Sequence, residues 1–229
     1  MARPESESSS KSDSESDVDS ETVWHDSVDS DEKLSPEIEE KLVKEADQFK
    51  VIGNEFFKAR DYKSALTEYN NALKNCPNYL SDKIAIYYGN ISACHFFLGD
   101  YKEAVEACTK ALDLDRWHTK ARLRRASANE KLNTWSSLES AIEDLELLLK
   151  DDETTDKKVS LGEDGRKDIN IRLQRLKPQL EQKRKEEAEE LISKFKTMGN
   201  DFLKNFGISL DNINVKQNNE GGYTADFKQ

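Results

Sequence analysis

The sequence predicts an all-α protein of stacked helix pairs, and three observations carry the prediction. Hydrophobic and charged residues each make up 35% of the 229 residues, with only 9 Gly and 4 Pro, a mixture that suits long solvated helices better than strands and turns. Between residues 35 and 150 apolar side chains recur at helical spacing, broken at Arg60-Asp61, Cys76-Pro77-Asn78, Gly99-Asp100, residues 113–118 and residues 133–137. A set of small and aromatic residues also returns at a period near 34, the signature of helix pairs that stack on their neighbours.

In chain order, residues 1–34 form an acidic, Ser-rich tail. Its apolar residues, Val18, Val23, Trp24 and Val28, are too sparse to offset the entropy of ordering, so disorder is expected. Ser12, Ser14 and Ser16 stand among acidic residues in a pattern similar to acidophilic kinase sites. The tail reads either as a phosphorylation-dependent competitor for a basic groove or as a solubilising segment. Ser35-Pro36-Glu37 has the form of a helix start, with Ser35 as N-cap, Pro36 at the first helical position and acid in the first turn.

The repeat region is expected over 35–150, a polar loop with Gly162 and Gly165 over 151–165, a capping and highly charged helix over 166–205, and a tail over 206–229. Within that tail, Ile213 and Val215 face Tyr223, Ala225 and Phe227 across an Asn/Gly-rich turn, as in a hairpin.

The repeat is read by position. From Ala46, aromatic residues fall at the fourth and eleventh places (Phe49, Phe56), Ile52 and Gly53 at the seventh and eighth, and Ala65, Tyr69, Ala72 and Pro77 at the twentieth, twenty-fourth, twenty-seventh and thirty-second. This resembles the tetratricopeptide repeat. A second copy over 85–118 keeps Tyr88, Ile91, Ala104, Cys108 and Ala111, with Ser92 where the small Gly is usual and Arg116 where Pro is usual. A third, over 119–153, keeps Ala126, Leu132, Ala141 and Leu145 if its inner turn carries about three extra residues. The resemblance implies three helix-turn-helix repeats in a right-handed superhelix. The apolar edge of the last pair would be covered by Ile169, Ile171, Leu173, Leu176 and Leu180 of a C-terminal capping helix.

In such a stack the first helix of each pair lines a groove, and five polar residues fall there: Lys50 and Asn54, Asn90, and Lys120 and Arg124. Four-residue spacing puts each pair on one helix face. The set resembles the two-carboxylate clamp with which some of these repeat proteins grip the Glu-Glu-Val-Asp C-terminus of cytosolic heat-shock chaperones of the 70 and 90 kDa classes. The resemblance implies that Lys50, Asn54 and Asn90 hold the terminal Asp, while Lys120 and Arg124 reach its side chain and upstream acids. Charge-assisted hydrogen bonds would supply the affinity. Phe57 and Phe96 serve either as apolar groove contacts or as core packing.

Other functions find little support in the residues. A net charge of -11 disfavours a surface that spreads over nucleic acid or an anionic membrane. Cys76, Cys94 and Cys108 are odd in number and lack CxxC spacing, and His25, His95 and His118 have no partners at metal-ligand spacing. No nucleophile with its base and no phosphate loop is visible. Trp117 and Trp135 fall at turns and read as packing residues.

The expectation is therefore a monomeric cytoplasmic co-chaperone or adaptor, with nuclear entry open. It is not an enzyme, has no cofactor or metal, and takes chaperone tails and a client as partners. The alternative is a scaffold for another acidic partner, bound without need of a free C-terminus.

Overall fold

A computed structural model describes residues 34–153, 160–204, 213–217 and 223–227. The tail residues Ser12, Ser14, Ser16, Trp24 and His25 lie outside the described residues, as does much of 206–229. The helices come in consecutive pairs: α1 (Pro36–Lys58) with α2 (Tyr62–Asn75), α3 (Ser81–Leu98) with α4 (Tyr101–Leu114), and α5 (Thr119–Leu132) with α6 (Trp135–Asp152). A long α7 (Gly162–Lys204) follows. After it, β1 (Ile213–Gln217) and β2 (Tyr223–Phe227) form an antiparallel hairpin, with Ile213 opposite Phe227 and Val215 opposite Ala225.

Small residues at repeating places let the helices approach. Ala46, Ala65 and Ala72, then Ala85, Ala104 and Ala111, then Ala121, Ala126 and Ala141 are all shut from solvent. A close helix approach of this kind requires residues without long side chains at the contact. Gly53 shows the requirement most directly, because a Cβ there would stand 2.7 Å from Cε1 of Tyr69, itself packed in the seam between α1 and α2.

Each pair turns on one residue in the left-handed region: Arg60 (φ 62) between α1 and α2, Gly99 (φ 89) between α3 and α4, and Asn133 (φ 53) between α5 and α6. Gly and Asn adopt this conformation readily, and Arg does not. Side-chain N-caps open α2 and α6. The Asp61 carboxylate accepts from the Ser64 N–H, and Thr134 and Ser137 exchange side-chain to backbone hydrogen bonds in a capping box.

The third repeat corrects the sequence expectation. Its inner turn is only Asn133-Thr134, and Asn133 falls 34 residues after Gly99, so no residues are added. Leu138, fully buried, takes the place of Ala65 and Ala104, which the sequence reading had given to Ala141. The physical reason is local. Asn133, Thr134, Ser136 and Ser137 have loop-like composition, but here they end one helix in a left-handed cap and start the next.

The loop expected over 151–165 is also shorter at both ends. Helix α6 runs through Asp152, and α7 starts at Gly162 with Glu163 and Asp164 in its first turn, where acid suits the helix dipole. The Asp152 carboxylate ties the two ends by accepting from the Leu161 N–H at 2.8 Å and from the Arg166 guanidinium.

Helix α7 caps the stack. Ile169, Leu173 and Leu176 are buried against Leu138, Ile142, Leu145 and Leu148 of α6, with Leu180 packed alongside, whereas Ile171 points to solvent. At 43 residues against 18, and about 1.5 Å per residue, α7 outruns its partner. Near the start of α6, Glu187 accepts from the Trp135 N–H at 2.8 Å and the Arg184 guanidinium lies 5.8 Å from the Trp135 ring. Beyond that point Leu191, Phe195 and Met198 are exposed.

Candidate functional site

The five residues singled out by spacing lie on the three first helices, α1, α3 and α5, and side-chain contacts join α1 to α3 and α3 to α5. Lys50 and Asn54 are one turn apart on α1. The Lys50 ammonium pairs with Asp47 at 2.7 Å, and the other oxygen of Asp47 accepts from Lys83 of α3 at 2.9 Å, so a carboxylate links α1 to α3. The Tyr87 hydroxyl, one turn further along α3, stands 3.5 Å from Asp47. Burial opposes ionisation of Asp47, but the two lysines outweigh it and hold the carboxyl below its ordinary value.

Asn54 is oriented from behind. The Tyr69 hydroxyl of α2 donates to its side-chain carbonyl at 2.8 Å, which leaves the amide NH2 group as the end available to a ligand. Burial pushes the Tyr69 phenol up to about 12, so it remains a donor at any working pH.

Arg124 is held against α3 rather than extended into solvent. Its Nη1 donates to the Gly89 carbonyl at 2.8 Å and to Ser92 Oγ at 3.1 Å, while Ser92 Oγ donates to the same carbonyl at 2.7 Å. This explains the Ser at position 92, where the repeat usually has Gly: the hydroxyl is fully buried and satisfied by these contacts. Gly89 precedes Asn90, so Arg124 reaches the helix turn that carries Asn90. Burial lowers the Arg124 pKa, yet a guanidinium stays charged at neutral pH.

Lys120 is exposed one turn earlier on α5, and Asn90 is half-buried with no hydrogen-bond partner among the described residues. His118 caps α5 by accepting from the Ala121 N–H at 3.4 Å, and burial pulls its pKa down, which favours the neutral ring that can accept.

The two phenylalanines proposed as groove contacts belong to a chain of rings at the helix ends. Phe57 meets Tyr62 at 5.3 Å and Phe97 at 5.6 Å between centroids, and Phe96 meets Phe97 at 5.8 Å and Tyr101 at 5.6 Å. Both are half-buried, and the ring that is open to solvent is Phe97, 56% exposed. Phe97 falls seven residues after Asn90, on the same helix face, a spacing that would have revealed it. Asp47, Lys83 and Tyr87 were also missed. Their signal was spacing from Lys50 and Asn90, but the contact between Asp47 and Lys83 spans 36 residues.

These features equip the face to hold anions by cations and amide donors. Its thiols are not poised as nucleophiles, since Cys76, Cys94 and Cys108 are buried and burial pushes Cys94 up to about 12. No helix among the described residues is long and apolar enough to cross a membrane.

Residues 85–116 match the tetratricopeptide repeat family. Among curated relatives, the mitochondrial import receptor subunit TOM70 of Saccharomyces cerevisiae is 42% identical over 84 residues, 37% of this chain and 13% of that protein. Serine/threonine-protein phosphatase 5 of Homo sapiens is 33% identical over 108 residues, 47% of this chain and 20% of that protein. The chain thus spans a fifth or less of the length of these relatives. The crystal structure of yeast Tom70 superposes with a TM-score of 0.50 at 32% identity, covering 64% of this chain and 26% of that one.

Proposed function

We propose that this chain, which carries tetratricopeptide repeats, is an adaptor that binds the acidic C-terminal tail of a heat-shock chaperone, ending in Glu-Glu-Val-Asp, on the shared face of α1, α3 and α5. The observation that supports it most is that Lys50 and Asn54 lie on α1, Asn90 on α3, and Lys120 and Arg124 on α5, three successive first helices joined by side-chain contacts. There Tyr69 presents the amide of Asn54, and Arg124 rests on the turn of Asn90. A peptide ending in Asp offers two carboxylates close together, and cations with amide donors answer both through charge-assisted hydrogen bonds. Lys50, Asn54 and Asn90 take the terminal residue, and Lys120 and Arg124 its side chain and the acids upstream. On this reading the domain is an interaction module without catalytic residues, acts in the cytoplasm as a monomer, and passes a client to or from the chaperone.

Lys120 is the cleanest position to test, being exposed and outside the packing. A micromolar complex has about 8 kcal/mol of binding free energy, of which one charged hydrogen bond accounts for roughly 1.5–3 kcal/mol. Lys120→Ala should therefore weaken binding of a synthetic peptide ending in Glu-Glu-Val-Asp by about tenfold or more, read by fluorescence anisotropy, with an unchanged melting temperature. Wild-type affinity in that variant would move the peptide off this face.

A further inference from the structure

Asp47 lies against Lys50 of this site and carries the wrong charge for it. Asp47, Lys50 and Asn54 follow one another at helical spacing on a single face of α1. The Asp47 carboxylate is held by two ammonium groups, Lys50 at 2.7 Å and Lys83 at 2.9 Å, with the Tyr87 hydroxyl at 3.5 Å. Cations and a phenol drawn from two helices around one carboxylate form the receptor that a ligand carboxylate would need, and here the chain fills it with its own side chain. The site is open to exchange: the side chains of Lys50, Lys83 and Asp47 are 28%, 34% and 35% exposed. Ion pairs this accessible are weak individually, so a ligand can replace them at small cost.

Resting on the carboxylate-clamp reading above, we propose that Asp47 is a resident competitor for Lys50, and that Lys83 is a fourth cation of the site, freed or shared when a ligand carboxylate arrives. Lys50 cannot serve Asp47 and a terminal carboxylate at full strength together, and a ligand anion seated on Lys50 comes close enough to Asp47 to be repelled by it. Lys83 moderates that repulsion by keeping Asp47 paired. The site therefore sets a threshold. A ligand with one carboxylate exchanges one ion pair for another, whereas a ligand with two closely spaced carboxylates gains contacts at Asn54, Asn90, Lys120 and Arg124 beyond the exchange. Asp47 thus acts as a specificity-determining residue that disfavours singly charged C-termini.

The test compares the wild-type chain with Asp47→Asn and Lys83→Ala, titrated with a synthetic peptide ending in Glu-Glu-Val-Asp and with its C-terminally amidated form, at low and moderate salt. Asp47→Asn should tighten binding of the free-acid peptide by roughly three- to tenfold, the scale of one partly screened charge contact. The gain should shrink as salt rises. Lys83→Ala should weaken binding by a similar factor. Wild-type affinity in Asp47→Asn, or a loss, would overturn the competitor role and leave the clamp standing. A wild-type chain indifferent to the free carboxylate would instead remove the clamp reading, and this inference with it. Melting curves of both variants guard against a folding artefact, and Lys83→Ala tests the same arrangement from the opposite side.

Discussion

The Tyr69 hydroxyl on α2 donates to the Asn54 side-chain carbonyl on α1 at 2.8 Å. One hydrogen bond therefore ties a packing residue of the repeat to a residue of the candidate site, and it decides which end of the Asn54 amide is left for a ligand. The ring that carries the hydroxyl reaches Asn54 because Gly53, beside it, has no side chain. In Tyr69→Phe the ring is kept and the donor lost. Stability should fall by about 0.5–1.5 kcal/mol, the usual net contribution of such a bond, and affinity for an acidic C-terminal peptide should fall several-fold. Urea denaturation and calorimetry read the two effects separately. Intact affinity would detach Asn54 from the site.

Gly53→Ala tests the approach itself. The added methyl would stand 2.7 Å from Cε1 and 2.9 Å from Cδ1 of Tyr69, a distance that the body of a packed ring relieves only by moving. Overpacking of this kind costs about 1–3 kcal/mol. The variant should melt earlier than wild type and bind peptide more weakly than Tyr69→Phe, because the displaced ring carries the hydroxyl with it. A melting temperature at or above that of wild type would show that the seam has room to spare.

Arg60 offers a stabilising change. It holds a left-handed φ of 62 where the other two repeats place Gly99 and Asn133, and its exposed side chain makes no compensating hydrogen bond or ion pair among the described residues. Replacing it with Gly or Asn should raise stability by roughly 0.5–1 kcal/mol, measured as a shift of the urea midpoint with the slope unchanged. A lower midpoint would mean that the Arg60 side chain contributes more than its backbone costs.

The cap predicts a contrast between two leucines of one helix. Leu176 is buried against α6, and Leu191, further along α7, is 66% exposed. Leu176→Ala should cost about 2–5 kcal/mol and Leu191→Ala close to nothing by the same denaturation assay. Equal effects would show that the second half of α7 is packed in solution.

The parts of the fold that were legible in the sequence were those set by local residue type. Pro36 opens α1, and the small residues Ala46, Gly53, Ala65 and Ala72 mark the seam whatever surrounds them. The turn at Asn133-Thr134 was misread because the same Asn, Thr and Ser residues serve a loop and a pair of back-to-back caps equally well, and only the backbone conformation separates the two. At the site, the helical addresses of Lys50, Asn54, Asn90, Lys120 and Arg124 followed from spacing. Their partners did not. Tyr69 on Asn54, Lys83 on Asp47 and Gly89 on Arg124 are contacts between helices, set by how deeply each helix sits against the next. Arg124 also proves to be a packing residue, bridging α5 to the backbone of α3. An Arg124→Ala variant will therefore lose stability as well as any ligand contact, which makes Lys50 and Lys120 the better probes of binding.

The central claim is that the face of α1, α3 and α5 recognises a free C-terminal carboxylate, and calorimetry with a matched pair of peptides tests it most directly. One peptide ends in Glu-Glu-Val-Asp with a free carboxylate, and the other is identical but amidated at its C-terminus. The clamp predicts that amidation weakens binding to the wild-type chain by about tenfold or more, since it removes the charge that Lys50, Asn54 and Asn90 are placed to hold. It also predicts that Lys50→Ala loses most of this discrimination. Equal affinity for the two peptides would contradict the account and favour a scaffold that reads an acidic segment without regard to where the chain ends.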